Sequence, residues 1–84
     1  MLNDPDLRNV NETSTGDFVA FELFDAGTWR AFRISRTALD VLSAGKNLPP
    51  MDSFEQNLER IKGVAFNAHK VGNGYTVLDT ESFG

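Results

Sequence analysis

Two alternating apolar runs on either side of a short turn constrain this chain most. Residues 18–24 place Phe18, Val19, Phe21, Leu23 and Phe24 among Ala20 and Glu22. Residues 29–34 run Trp29, Arg30, Ala31, Phe32, Arg33, Ile34. Alternation with a period of two, rich in aromatic and β-branched residues, predicts strands. The Asp25-Ala26-Gly27-Thr28 stretch between them predicts a hairpin turn.

The register follows from which residues share a face. An even-numbered loop puts Val19, Phe21 and Leu23 with Phe32 and Ile34. The other face then carries Phe18, Ala20, Glu22, Phe24, Trp29, Ala31 and Arg33. A three-residue loop would move Trp29 and Ala31 to the first face, since a one-residue slip inverts a strand. Segregation of apolar residues favours the even register. Gly27 as third residue of Asp25-Ala26-Gly27 suits the three-residue loop with a bulge.

After the hairpin the period changes. Ser35 can cap a helix from Arg36, with Ala38, Leu39, Val41 and Leu42 as its apolar stripe and Gly45 as its stop. Pro49-Pro50 interrupts any helix in the linker that follows. Asp52 lies three residues before Glu55, the spacing of a capping box. A second helix is expected over 53–70, where Phe54, Leu58, Ile61, Ala65 and Ala68 recur at helical steps. Gly63 inside it costs about 1 kcal/mol relative to Ala, which implies close packing there or a bend. Gly72-Asn73-Gly74 predicts a turn. A third strand follows over 75–79, with Tyr75 and Val77 on one face and Thr76 and Leu78 on the other.

The expected fold is therefore α+β in the order β-β-α-α-β. A small antiparallel sheet, hairpin plus C-terminal strand, carries two helices on one face. Residues 1–16 are polar and aperiodic and read as a flexible arm, with Leu7 and Val10 able to dock locally. Residues 17–84 read as one domain.

Phe18-Val19-Ala20-Phe21, Gly27 and Phe32-Arg33-Ile34-Ser35-Arg36-Thr37-Ala38-Leu39 resemble the front half of the small bacterial domain-of-unknown-function family 1488. Phe54, Asn57, Arg60-Ile61 and Ala65, followed by a Gly turn and short strand, resemble its back half. Together they cover about residues 17–83. The resemblance implies a bacterial, stand-alone, cytoplasmic protein and a short N-terminal strand, for which residues 7–10 are the one place. It supplies no catalytic residues.

The residue types weigh against an enzyme. The 84 residues include no Cys and one His, His69, which excludes a thiolate nucleophile and falls short of a His/Cys metal set. Glu55 and Glu59 share a helix face with Asp52 nearby, and the polar side of an amphipathic helix accounts for them. Ser14, Ser35, Ser43, Ser53 and Ser82 lie outside any Gly-x-Ser-x-Gly elbow. Gly72-Asn73-Gly74 leads to a strand, unlike a phosphate loop. No cofactor, metal or small-molecule substrate is implied. Asn11-Glu12-Thr13 matches a glycosylation sequon, but residues 1–6 lack a secretory signal. With no cysteine and no apolar run of spanning length, a cytoplasmic protein free of membrane is expected.

Twelve acidic and eight basic residues give a charge of −4, which disfavours nucleic acid. The Trp29, Arg30, Arg33 and Arg36 cluster is nonetheless the basis of an alternative, a nucleic-acid-associated regulator. Arg30 and Arg33 are an odd number apart, so a regular strand points them to opposite faces. Arg33 is expected to neutralise Glu22 across the hairpin. The main expectation is a non-enzymatic protein-interaction module. Its interface would be the second sheet face, with Phe18, Glu22, Phe24, Trp29 and Arg33, facing another protein or a second copy. The competing expectation is that the N-terminal arm, the C-terminal tail or Phe66 folds back over that face.

Overall fold

The computed structural model describes residues 4–68 and 75–83. Among these, four strands form one sheet in the spatial order of the sequence. They are β1 (Leu7–Glu12), β2 (Phe18–Asp25), β3 (Thr28–Ser35) and β4 (Tyr75–Leu78). Between β3 and β4 run α1 (Arg36–Leu42), α2 (Pro50–Gln56) and α3 (Leu58–Asn67), and α4 (Thr80–Phe83) follows β4.

The central hairpin has the even register. Val19 pairs with Ile34, Phe21 with Phe32 and Phe24 with Trp29. Its two-residue loop puts both Ala26 (φ 52°) and Gly27 (φ 84°) in the left-handed region. That is a type I′ turn, whose twist matches the strands it joins.

Several expectations are corrected by the structure. Residues 7–12, expected from composition within a flexible arm although the resemblance implied a short strand at residues 7–10, are the edge strand β1, antiparallel to β2. A bulge lies between Arg8 and Asn11, where Asn9 takes φ 56°. It places both Leu7 and Val10 against the core. The bulge breaks period-two alternation, which hid the strand among polar residues. The sheet is mixed, not antiparallel, because β4 runs parallel to β3. A parallel return needs a long crossover, and the three helices provide it. The helix expected over 53–70 is two helices. It begins at Pro50, where a missing N–H costs nothing in the first turn. It breaks at Asn57 (φ −109°), whose side-chain amide donates to the Ser53 carbonyl. The Asp52–Glu55 spacing therefore lies inside α2, and Pro49 stands at the cap position without a side-chain bond. Gly63 does not pack closely, since an added Cβ there meets nothing within 4 Å. His69, Lys70 and the Gly72-Asn73-Gly74 turn lie outside the described residues.

Other local rules hold as read. The Ser35 hydroxyl accepts from the Ala38 N–H at 3.1 Å and caps α1. At the C-terminus, Asp79 accepts from the N–H groups of Glu81 and Ser82. Ser82 Oγ in turn accepts from the Asp79 N–H, a reciprocal cap that turns Phe83 back onto the core.

The core lies on one side of the sheet. Val19, Phe21, Leu23, Phe32, Ile34 and Leu78 meet Ala38 and Leu39 of α1, Phe54 of α2, and Ile61 and Ala65 of α3. Phe21 stacks on Phe32 at 5.5 Å and meets Phe54 at 4.9 Å. The α1–α2 junction holds a buried polar link: Ser53 Oγ donates to the Leu39 carbonyl and bonds the Ser43 hydroxyl.

Candidate functional face

The helices seal one side of the sheet and leave the other. Strand pairing fixes what stands on the open side. Arg8, Glu22, Ala31 and Tyr75 form one row across all four strands. Asn11, Ala20, Arg33 and Val77 form the next. Phe24 with Trp29 flanks these rows at one end and Phe18 at the other. The five expected residues, Phe18, Glu22, Phe24, Trp29 and Arg33, thus share one face. Arg8, Asn9 and Tyr75 join them and were missed. Arg8 and Asn9 were hidden by the bulge, and Tyr75 because alternation over 75–78 does not say which of its two faces is the open one.

These side chains are organised by rings and charges. Phe24 and Trp29 meet edge-to-face at 5.3 Å. The Arg8 guanidinium lies over the Trp29 ring at 4.1 Å, and that of Arg33 over the Tyr75 ring at 4.1 Å. Glu22 does not pair with Arg33 as expected. Its carboxylate accepts from Arg8 Nε and from Asn9 Nδ2, both at 2.7 Å. Those two bonds, from Arg8 first and Asn9 second, hold the Glu22 carboxyl below its ordinary range.

Three apolar groups of the face are exposed, Phe24 at 40 % accessible, Tyr75 at 50 % and Val77 at 43 %, while Phe18 and Trp29 are half-buried. Among the described residues no element packs over it. Residues 7–12 lie in the plane of the sheet, Phe83 packs on the core side, and Phe66 stands exposed on α3. The covering arm or tail expected as a competitor is therefore absent from the described residues.

The basic-aromatic cluster is divided. Arg33 and Trp29 stand on the open face. Arg30 pairs across from Leu23 on the helix side, with its Nε 3.5 Å from the Asp25 carboxylate. Arg36 begins α1. Among the described residues no group of three or more His, Cys, Asp or Glu could hold a metal ion. No described helix is long and apolar enough to cross a membrane. Comparison with protein-family models, with curated proteins and with solved structures finds no match.

Proposed function

We propose that the protein is a non-enzymatic interaction module that binds another protein through its open sheet face. One observation carries this reading: five aromatic and aliphatic side chains and two arginines stand on a face over which no described element packs, while the opposite face is sealed. Phe18, Phe24, Trp29, Tyr75 and Val77 supply the apolar area, and Arg8 and Arg33 supply the cations. Aromatic residues with arginine, and few other charges, is the composition of an interface centre. Type I′ closure, the Phe24–Trp29 contact and the Arg–aromatic stacks hold these groups in place before a partner arrives, which lowers the cost of ordering them.

The test compares the wild-type protein with Trp29→Ser and Phe24→Ser as baits in one extract. A partner retained by the wild type and lost by both folded variants is the expected result. Sedimentation at micromolar concentration checks whether that partner is a second copy. A wild type that retains nothing beyond what the variants retain, and stays monomeric, contradicts the reading.

A further inference from the structure

The open face has a hollow where its side chains are small. Ala20 and Ala31 sit diagonally at the sheet centre and leave a depression of about 240 Å³. Asn11, Glu22, Arg33 and Tyr75 rim it. The charges around it are unevenly satisfied. Arg8 and Glu22 form an ion pair at 2.7 Å, and Asn9 adds a second donor to the same carboxylate oxygen. Arg33 has no carboxylate within ion-pair distance among the described residues; its contact is the Tyr75 ring. That contact uses the ring face, and no hydrogen-bond partner of the Arg33 guanidinium N–H donors stands among the described residues. A guanidinium fork matches the two oxygens of a carboxylate.

We propose that this hollow receives the carboxylate of an acidic side chain, borne by a short extended segment of another protein, with Arg33 as the receiving group. The inference rests on the docking face proposed above and names the chemistry of its partner. Charge favours a segment over a second copy. Two chains of net charge −4 repel on approach, whereas a short segment brings one carboxylate to an arginine that has no ion-pair partner among the described residues. A single carboxylate suits one stacked arginine beside a neutralised Glu22. A phosphodiester chain would set a row of charges against a protein of net charge −4.

The experiment selects from a displayed library of random linear peptides on the immobilised wild-type protein and on Trp29→Ser. Enriched peptides are then measured against wild type, Arg33→Gln and Arg33→Lys, each checked for native circular dichroism. Trp29-dependent peptides should share one acidic position between apolar residues. Changing that residue to its amide should weaken binding to the wild type about tenfold. On Arg33→Gln the acidic and amide peptides should bind equally, and Arg33→Lys should recover part of the difference. Trp29-dependent peptides with no acidic preference would overturn this inference and leave the docking face standing. Absence of any Trp29-dependent peptide would overturn both. Displacement of bound peptide by single-stranded oligonucleotide, or dimerisation that occludes the face, would reassign the hollow to phosphate or to a second copy.

Discussion

Single residues carry two of the most testable features. Ala26 is the first residue of a type I′ turn and sits at φ 52°, where a Cβ is strained. Asparagine tolerates that conformation and is preferred at this turn position. Ala26→Asn should raise stability by about 0.5–1 kcal/mol, read as a higher denaturant midpoint with an unchanged slope. No gain, or a loss, would mean the hairpin closes differently. The second feature is the Asp4–Lys62 pair at 2.6 Å, which ties the segment before β1 to α3. The lysine bond, then the Asp6 N–H, lower the Asp4 pKa, and the same pair raises that of Lys62. A lowered carboxyl pKa stabilises the fold above the ordinary Asp value, and this is lost as pH falls through the lowered one. A raised lysine pKa stabilises it below the ordinary Lys value, and this is lost as pH rises through the raised one. The full contribution therefore spans about pH 4 to pH 10. Asp4→Asn should cost about 0.5–1 kcal/mol at neutral pH. The gap between variant and wild type should close in acid. A gap that persists at pH 2 would show that packing, not charge, holds the segment.

At the scale of elements, α3 contains a residue that the fold does not require. Gly63 is exposed and helical, and its missing Cβ faces open space. Gly63→Ala should stabilise by about 1 kcal/mol, or about 4–8 °C in melting temperature for a chain of this size. A destabilised variant would mean that something packs against that position. The elements also show what sequence reveals and conceals. β2, β3, the Ser35 cap and the Phe54–Ile61–Ala65 stripe were legible because each follows a local rule of period or capping. β1 shows no period, because the left-handed Asn9 inserts an extra residue and shifts the apolar phase from Leu7 to Val10; only the family resemblance pointed to a strand at residues 7–10. Close packing or a bend was expected at Gly63, the weakest helix former, but the helix breaks at Asn57, whose side chain bonds the Ser53 carbonyl. The direction of β4 is invisible in Tyr75–Leu78, since alternation is the same for parallel and antiparallel pairing. Only the crossover through α1, α2 and α3 sets it.

For the whole molecule, the determining fact is one core for two sheet faces. Val19, Phe21, Leu23, Phe32, Ile34 and Leu78 use one face completely, and 84 residues supply no second layer among those described. That Phe18, Glu22, Phe24, Trp29 and Arg33 share a face was readable because register alone assigns a face once the hairpin loop is known. Arg8 and Tyr75 were not, because their placement depends on the bulge and on the crossover. The central claim is that this second face is open to solvent in the free protein. A soluble gadolinium chelate tests it directly, through the relaxation it adds to assigned side-chain protons in dilute solution. Phe24, Tyr75 and Val77 should broaden strongly, while Phe21, Phe54 and Ile61 should not. Protection of both groups alike would show the face covered and would contradict the account.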